Sequence, residues 1–247
     1  MGSDLQLAAN EAHVWLIPLS GQEYRDPSDF SPLSEDEVQR AHRFHFERDR
    51  FRFIAARAAM RNILAQYLGT APEELTFSYT PKGKPELAPD FPKPALEFNL
   101  SHSRDFALLA LARQSRVGAD IEFIDSERAT RDIATRFFSP AEITTLEALP
   151  AAARVQAFFQ CWTRKEAYVK ALGAGLSVPL DSFDVAFGPG VPPALLRLAD
   201  SSADSSNEAS PWRLYDIVAP PGYAAAVAVE GLRHQLQLRE WQFRRQA

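Results

Sequence analysis

Residues 151–173 have the sequence AAARVQAFFQCWTRKEAYVKALG, which predicts one long helix that ends at Gly173. Trp162, Glu166 and Lys170 are four residues apart in turn, so they share one stripe of this helix. An exposed ion pair between Glu166 and Lys170, worth roughly a few tenths of a kcal/mol, would have the same spacing. Because the stripe begins with aromatic residues, we interpret the two charges instead as a site at the edge of a core. The carboxylate suits a metal ion and the ammonium suits a phosphate.

The first half of the chain has a similar order of features. Ser34 and Glu37 form a capping box before a helical pattern that extends to Leu68, with room for a break, and Gly69 follows it. In the second half, a capping box at residues 139–142 precedes the long helix, and the distance from cap serine to closing glycine is similar. This spacing is compatible with an internal duplication and equally with two independent uses of common helix chemistry.

Eight segments have the apolar or alternating pattern of strands. They are residues 13–19, 75–79, 97–100, 106–112, 117–123, 182–187, 212–218 and 223–229. Residues 101–104 are predicted as the turn between the third and fourth of these strands. The segment 81–94, rich in proline and lysine, is predicted as a loop or an edge. The polar residues 200–210 are interpreted as a solvated connector.

The strand at residues 117–123 has acidic side chains on one face. Side chains alternate along a strand, so Gly118, Asp120 and Glu122 point one way and the apolar residues between them point into a core. Two carboxylates on one face repel each other unless a positive charge lies between them. Mg²⁺ would supply that charge, because it prefers oxygen ligands. A polar face turned to water gives the same pattern, so the pair alone leaves the metal site open.

Two further segments carry groups that suit a phosphorylated ligand. The segment Phe98-Asn99-Leu100-Ser101-His102-Ser103 combines hydroxyls with an imidazole in a predicted turn, which suits phosphate oxygens. An ordinary hairpin turn would also contain serine and asparagine. A serine hydrolase would need a Gly-x-Ser-x-Gly elbow, which the sequence lacks. The basic turn Lys82-Gly83-Lys84-Pro85 can approach a nucleotide closely, but it is a weak signal by itself.

The composition narrows the class of protein. The chain has 247 residues, enough for one large or two small domains, and 46% of them are hydrophobic, as in a globular protein. The single cysteine, Cys161, favours a reducing compartment. We find no signal-peptide pattern at the N-terminus and no apolar run that would span a membrane, so we expect a cytoplasmic protein without a membrane partner. The net charge of −5 argues against a nucleic-acid partner.

The motifs occur together in an order that closely resembles the 4'-phosphopantetheinyl transferase family, in particular its long, two-lobed type that activates peptide and polyketide synthases. The order is Gly83-Lys84-Pro85, residues 98–103, residues 118–122, Phe137-Phe138-Ser139 and residues 162–176. The resemblance implies an α+β fold of two similar lobes related by a pseudo-twofold axis, with the active site in the cleft between them. We place the lobes at residues 1–115 and 116–247, with nucleotide contacts from the first and metal ligands from the second.

The resemblance also assigns roles to individual residues. It implies Mg²⁺ bound by Asp120, Glu122 and Glu166. Coenzyme A would be bound by residues of both halves, at its pyrophosphate by Lys170, at its phosphates by Ser101 and His102, beside its adenine by Gly83, Lys84 and Pro85, and at its 3'-phosphate by Arg40 and Arg52. Several other arginines are alternatives for the 3'-phosphate, namely Arg43, Arg48, Arg50 and Arg57. The catalytic residues would be Glu166 and Lys170.

The implied reaction transfers phosphopantetheine from coenzyme A to a serine of an apo acyl or peptidyl carrier protein and releases adenosine 3',5'-bisphosphate. Glu166 or a metal-bound water would take the serine proton, and the protein would act as a monomer whose halves form a pseudo-dimer. A metal-dependent coenzyme A hydrolase is an alternative, although the glutamate-rich helix of the Nudix type is absent. A non-catalytic binding module is another, against which the three carboxylates argue. For Glu142, the capping box is an alternative to a role in the site.

Overall fold

The computed structural model describes residues 5–20, 32–80, 83–89, 91, 96–173, 178–197, 211–231 and 235–242. The helices in these ranges are α1 (Glu35–His42), α2 (Glu47–Leu68), α3 (Arg131–Phe137), α4 (Pro140–Ala148) and α5 (Ala151–Leu172). The strands are β1 (Glu11–Pro18), β2 (Phe77–Tyr79), β3 (Pro85–Leu87), β4 (Leu96–Ser103), β5 (Phe106–Arg113), β6 (Val117–Phe123), β7 (Asp184–Val185), β8 (Leu195–Arg197), β9 (Trp212–Asp216), β10 (Tyr223–Glu230) and β11 (Gln235–Glu240). The fold therefore mixes helices with sheets, as predicted.

Two sheets form the centre of the molecule. The first has the strand order β11-β1-β5-β4 and the second the order β6-β10-β9. The trios β1-β5-β4 and β6-β10-β9 are both antiparallel, whereas β11 joins β1 in parallel. The shared order of the two trios agrees with an internal repeat. The pseudo-twofold axis and the division at residues 115 and 116 stay predictions, and β11 comes from the second segment but completes the first sheet.

The sheets and long helices stack in four layers. Helix α2 covers the outer face of the first sheet and α5 the outer face of the second. The inner faces meet in a core of small aliphatic side chains, which includes Val14, Ala110, Ala119 and Val227. Small side chains let two sheets approach closely, so the apolar face predicted for residues 117–123 is buried between the sheets. The described helices include none long and apolar enough to cross a membrane.

Helix α2 is fixed by a buried ionic contact to α1. The Arg61 guanidinium lies 2.6 Å from Oε2 of Glu37. It also donates to the backbone carbonyls of Pro72 at 3.0 Å and Leu75 at 2.9 Å. Glu37 in turn accepts the backbone N–H of Ser34 at 3.0 Å, as expected for the acidic partner of a capping box. The contact joins both helices to the segment that follows them.

Helix α5 is fixed in the same way. The Lys165 ammonium lies 2.8 Å from Oε1 of Glu142 and donates to the carbonyls of Leu180 at 2.7 Å and Phe183 at 2.5 Å. Glu142 also exchanges hydrogen bonds with Ser139, so the predicted capping box is present. Lys165 is the counterpart of Arg61. Each lies fourteen positions after the first residue of its 22-residue helix. This second correspondence between the halves is not visible in strand patterns.

Several predicted bounds are confirmed. Helix α5 and strand β6 have the predicted ends, and Gly69 and Gly173 close their helices in the left-handed conformation with φ of 58° and 69°. The first helical region breaks at residues 43–46. Elements that the patterns did not predict are α3, β8 and β11, and β3 lies in the segment 81–94 that was predicted as loop or edge.

Two predicted bounds are wrong. Residues 101–103 continue β4, and the turn lies at Arg104 and Asp105, where Arg104 has a φ of 48°. The strand is longer than predicted because residues 101–103 pair with residues 106–108 of β5, and the side chains of Ser101 and Ser103 also bond to β6. In the segment 182–187, only Asp184 and Val185 form a strand. The predicted connector at residues 200–210 lies outside the described residues.

Candidate active site

The edge strands β4 and β6 lie side by side and are joined by side chains. Three residues of β4 at alternate positions accept backbone N–H groups of β6. Asn99 accepts from Ala119 at 2.9 Å, Ser101 from Ile121 at 3.4 Å and Ser103 from Phe123 at 3.0 Å. Unpaired N–H groups at a buried sheet edge are costly, so these bonds stabilise the contact between the two sheets.

Asp120 is the most buried carboxylate in this region. Its side chain is 2% exposed, its Oδ1 accepts the Ser101 hydroxyl at 3.0 Å and lies 2.5 Å from the ammonium of Lys170. Its Oδ2 is buried and has no hydrogen-bond partner among the described residues. One oxygen of Asp120, Oδ1, is therefore paired with the Lys170 ammonium, and the other, Oδ2, can still bind a metal cation.

Lys170 brings the end of α5 to β6. Its ammonium contacts Ser101 at 3.1 Å as well as Asp120. Burial alone would lower the pKa of Lys170, but the carboxylates of Asp120, Glu166 and Glu122 outweigh burial and raise the pKa above its ordinary value. Lys170 is therefore charged at neutral pH and is surrounded by the three predicted metal ligands.

The two glutamates of the predicted metal set are held near Asp120. Burial is the main cause that raises the pKa of Glu122, and the charge of Asp120 adds to it. Burial also raises the pKa of Glu166, and Asp120 and Glu122 add to it, while Lys170 opposes the shift. Ser103 donates to Glu122 Oε2 at 3.0 Å, and the Arg128 guanidinium lies 3.6 Å from the same oxygen. Three carboxylates thus repel one another across a small region that contains the partly exposed ammonium of Lys170.

The packing of α5 on β6 depends on Gly118. A Cβ at this position would overlap the backbone carbonyl oxygen of Ala167 and the backbone nitrogen of Ala171. Only glycine allows the helix to approach the strand this closely. On the stripe of Glu166, the rings of Phe158 and Trp162 stack with centroids 6.0 Å apart, as the stripe predicted.

A cavity of about 400 Å³ opens beside the acidic cluster. Its lining contains two residues predicted to bind coenzyme A, Arg52 and His102, together with the predicted metal ligand Glu122. Part of the His102 ring is exposed in the cavity mouth, yet desolvation by the surrounding protein lowers its pKa, and the charges of Lys170 and Arg40 add to this effect. His102 is therefore neutral at neutral pH and can donate one hydrogen bond and accept another.

The remaining predicted residues lie at different distances from this cluster. Lys84 Nζ donates to the backbone carbonyl of Lys170 at 3.3 Å, so the basic turn reaches the end of α5. Arg40 is exposed on α1, and Arg52 pairs with Asp105 at 2.5 Å. Pro85 begins β3, and Gly83 precedes it with a φ of 80°.

Among the alternative arginines, Arg57 is buried and pairs with Glu37. Its guanidinium also donates to the Tyr79 hydroxyl at 2.9 Å, so its hydrogen-bond donors are used within the fold. Arg48 pairs with Asp49 and Arg50 with Glu47, each at 3.7 Å, on the more open side of α2. The structure therefore removes Arg57 from the alternatives and leaves Arg43, Arg48 and Arg50 beside Arg40 and Arg52.

The acidic cluster offers the ligands that a metal ion would need. Asp120, Glu122 and Glu166 offer oxygen ligands, which suit a hard divalent cation. The unpaired Oδ2 of Asp120 and the mutual repulsion of the three carboxylates favour such a cation. In the described ranges, however, no three His, Cys, Asp or Glu side chains are drawn together as a ready metal cluster. The chemistry of the donors fits Mg²⁺, and their assignment as ligands stays a prediction.

Sequence reasoning gave no individual role to five residues of the cavity lining, namely Phe44, Asp49, Ser103, Arg104 and Arg128. Ser103 lies two residues after Ser101 and so shares its side of β4, but the prediction of a turn at residues 101–104 concealed this alternation. Arg128 follows β6 in an irregular segment, and no pattern in that segment marks it.

Comparison with known proteins identifies the family. A family model described as the 4'-phosphopantetheinyl transferase superfamily matches residues 116–228, and one described as 4'-phosphopantetheinyl transferase, N-terminal, matches residues 27–114. The 4'-phosphopantetheinyl transferase HetI of Nostoc sp. is 38% identical over 232 residues, which cover 94% of this chain and 93% of HetI.

Two more distant relatives agree with this result. The 4'-phosphopantetheinyl transferase Sfp of Bacillus subtilis is 30% identical over 85% of this chain and 87% of its own length. The L-aminoadipate-semialdehyde dehydrogenase-phosphopantetheinyl transferase of Xenopus laevis is 28% identical over 82% of this chain and 71% of its own length. The chain therefore belongs to the 4'-phosphopantetheinyl transferase family, and within it to the long, Sfp-like type.

Proposed function

We propose that this protein transfers the 4'-phosphopantetheine group of coenzyme A to a serine of an apo acyl or peptidyl carrier protein and releases adenosine 3',5'-bisphosphate. The observation that carries the proposal is the contact of Lys170 with Asp120 and Ser101 where β4 meets β6. It places a charged ammonium, a buried carboxylate and a hydroxyl together in a chain whose relatives are named as these transferases.

The proposed roles follow from charge. The pyrophosphate of coenzyme A is a dianion that resists attack by a neutral serine hydroxyl. The Lys170 ammonium is positioned to stabilise negative charge on the phosphate that is attacked. His102, on the same strand as Ser101, can donate a hydrogen bond to a phosphate oxygen, and Arg52 lines the same cavity as His102. Ser101 can do so if its proton turns from Asp120 to the phosphate when the ligand binds. These groups would fix the pyrophosphate relative to the carboxylates.

A divalent cation, which we propose to be Mg²⁺, would be held by Asp120, Glu122 and Glu166. When bound, it would neutralise and polarise the pyrophosphate. Glu166 is also our candidate to accept the proton of the carrier serine, because it shares the acidic region with Lys170 and lies on the same helix. The carboxylates keep the cation site near Lys170, so both positive charges would act on one phosphate.

The nucleotide end is proposed to lie toward the first half of the chain. Lys84 reaches the end of α5 through its bond to the carbonyl of Lys170, which brings the basic turn next to the acidic cluster. We place the adenine beside Gly83, Lys84 and Pro85, and the 3'-phosphate near Arg40 and Arg52. In this arrangement the two halves are lobes of a pseudo-dimer, the cleft between them is the active site, and the protein is a cytoplasmic monomer.

The proposal is tested by incubating the protein with coenzyme A, Mg²⁺ and an apo carrier protein. Intact-protein mass spectrometry should show the carrier heavier by one phosphopantetheine group, with stoichiometric adenosine 3',5'-bisphosphate in the supernatant. A carrier whose acceptor serine is replaced by alanine is the control and should stay unmodified. Cleavage of coenzyme A without any carrier would identify a hydrolase instead, and binding without cleavage would identify a binding module.

A further inference from the structure

The hydrogen bonds between β4 and β6 are more regular than the packing of two sheets requires. In the described part of the chain the two strands belong to different sheets. The three side-chain bonds nevertheless join residues that are always 20 positions apart, so the strands run in the same direction in constant register. Side-chain oxygens of β4 therefore replace the carbonyl oxygens that would accept the same N–H groups in a continuous sheet.

Two of the three bonds have a second function. The Ser101 hydroxyl accepts the N–H of Ile121 and donates to Asp120, and the Ser103 hydroxyl accepts the N–H of Phe123 and donates to Glu122 at 3.0 Å. A serine hydroxyl has one proton to donate, so in each case that proton is committed to a carboxylate. Each hydroxyl thereby ties the carboxylate to the backbone of the residue that follows it.

Ser103 differs from Ser101 in having no contact with Lys170. Its described polar contacts are Glu122 and Phe123, whereas Ser101 also accepts from the ammonium. The other partner of Glu122 is Arg128 at 3.6 Å, whose side chain is 55% exposed, so that ion pair is weakened by water. The short, half-buried hydrogen bond from Ser103 thus fixes the orientation of the Glu122 carboxylate.

We propose that Ser103 is a positioning residue that holds the Glu122 carboxylate for a divalent cation by bridging it to the backbone of Phe123. The proposal rests on the proposed function, because it takes Glu122 as a metal ligand. Mutation of a residue that orients a metal ligand typically costs about 10–100-fold in metal affinity or activity.

Asn99 provides a matched control. It accepts the N–H of Ala119 in the same way and is the first of the three alternate residues, but it has no bond to a carboxylate of β6 in the described structure. Replacing Asn99 by alanine removes one strand-to-strand bond and leaves Glu122 untouched. Ser103→Ala removes one such bond and also releases Glu122. A difference between the two variants therefore reports on positioning and not on the stability of the junction.

The experiment compares wild type, Ser103→Ala, Ser103→Thr and Asn99→Ala. Binding of Mn²⁺ to the carrier-free protein is measured by electron paramagnetic resonance, and the Mg²⁺ dependence of transfer is measured separately. Exchange of the Ala119 and Phe123 amides is followed by nuclear magnetic resonance. Thr keeps the hydroxyl and is compatible with a strand, so it is the rescuing variant.

We expect Ser103→Ala to weaken Mn²⁺ binding about tenfold, in the range of losses found for residues that orient metal ligands. Its Phe123 amide should exchange faster. Ser103→Thr should restore both properties, and Asn99→Ala should speed exchange at Ala119 while leaving Mn²⁺ binding near the wild-type value. Should Ser103→Ala melt before measurement, Ser103→Cys, a weaker donor of similar size, replaces it, with an intermediate loss expected.

Normal Mn²⁺ binding and normal Mg²⁺ dependence in Ser103→Ala would overturn the inference while leaving the proposed function intact. An equal loss of binding in Asn99→Ala would also overturn it, because the effect would then come from the junction as a whole. Failure of the proposed function has a different signature, since wild type itself would then bind no Mn²⁺ or would modify no apo carrier.

Discussion

The ammonium of Lys170 lies 2.5 Å from Oδ1 of Asp120, and the backbone carbonyl of the same lysine accepts a hydrogen bond from Lys84. One residue at the end of α5 therefore contacts the acidic strand with its side chain and the basic turn with its backbone. An ammonium that serves a phosphate must share its three donors with Asp120. Ligand binding is thus expected to change the Lys170–Asp120 contact, and the first two predictions test its two partners.

Replacement of Asp120 by alanine should abolish transfer. The change removes a proposed ligand and leaves Lys170 and two repelling glutamates without the central carboxylate, so we expect a loss of at least about 100-fold in kcat/KM. Transfer is measured by mass spectrometry of the carrier, and far-ultraviolet circular dichroism should match wild type. Turnover close to wild type at ordinary Mg²⁺ would show that Asp120 does not bind the metal.

Replacement of Lys170 by alanine should raise the KM for coenzyme A more than the KM for the carrier, because the ammonium is assigned to the pyrophosphate. His102→Ala should act in the same direction and more weakly, since a neutral imidazole contributes a hydrogen bond and not a charge. Steady-state kinetics with each substrate varied in turn separates the two constants. A variant in which only the carrier KM rose would contradict the phosphate role.

Gly118→Ala should impair both stability and activity. The added methyl would overlap the backbone of α5 at Ala167 and Ala171, so the helix that carries Glu166 and Lys170 has to move. Overpacking of this kind costs roughly 1–3 kcal/mol, and a displacement of a catalytic group by about 1 Å can cost about 100-fold in rate. Urea denaturation and carrier modification measure the two effects. A fully active variant of unchanged stability would mean that α5 and β6 are further apart than described here.

The anchor of α5 can be tested without touching the active site. Lys165→Met leaves Glu142 buried without its cation, and breaking a buried pair in this way typically costs roughly 3–5 kcal/mol. The double variant Lys165→Met with Glu142→Gln should be less destabilised, because no uncompensated charge remains. Denaturant unfolding of the two variants is the measurement. Equal destabilisation of both would show that the lost hydrogen bonds to the carbonyls of Leu180 and Phe183, and not the buried charge, are the cause.

His13 should make the protein sensitive to mild acid. Its side chain is fully buried beside Tyr67, and burial first, then the charge of Arg239, lower its pKa below the ordinary value of 6.5, against the opposing charge of Glu11. Below pH 6.5 the unfolded chain binds a proton at His13, whereas the folded chain binds it only at a lower pH. The free energy of unfolding therefore falls as pH decreases from 6.5 toward the lowered pKa.

This effect is checked by urea unfolding at several pH values between 7.5 and 5. His13→Gln should show a smaller loss of stability over this interval than wild type. His102 has a pKa shifted in the same direction, so His102→Gln should also flatten the profile, and the two effects should add because the sites are separate. A His13→Gln profile as steep as wild type would place the acid sensitivity elsewhere.

The thiol end of coenzyme A should matter less than the nucleotide end. The site residues are assigned to the nucleotide, the pyrophosphate and the metal, and the proposed reaction breaks the pyrophosphate bond far from the sulfur. Acetyl-coenzyme A should be used within about tenfold of coenzyme A, a barrier change of at most about 1.4 kcal/mol. Dephospho-coenzyme A should be used less well, because it lacks the group assigned to Arg40 and Arg52. The reverse preference would mean that the ligand lies the other way round.

Local patterns predicted much of this structure. The helix α5 and the strand β6 were predicted with the observed ends, because each has a strong period and a clear stop, such as Gly173. The grouping of Asp120, Glu122 and Lys170 followed from periodicity on two elements and from the family resemblance. Tertiary contacts, which local patterns do not show, bring these elements together. They are the close approach that Gly118 allows and the hydrogen bonds of Asn99, Ser101 and Ser103.

The misassigned turn shows why the remainder could not be predicted. Serine and asparagine are normal in turns, and residues 98–103 contain both, so local chemistry favoured a turn at residues 101–104. Strands β5 and β6 override this preference, because β5 pairs with the backbone of residues 101–103 and the N–H groups of β6 bond to the side chains of Ser101 and Ser103. Strand β11 was missed because its signal is short, since only Leu236 and Leu238 alternate with polar residues in a strand that is at most partly buried.

The parallel pairing of β11 with β1 has a consequence for synthesis on the ribosome. Residues 235–240 leave the exit tunnel after the other strands of this sheet, yet they complete the sheet whose first strand emerges at residues 11–18. Until then, one edge of β1 has open N–H and C=O groups that any other extended chain can occupy. The nascent N-terminal half is therefore the form most exposed to self-association. Strand β11 closes this edge, and the N–H of Gln235 bonds to the carbonyl of Asn10.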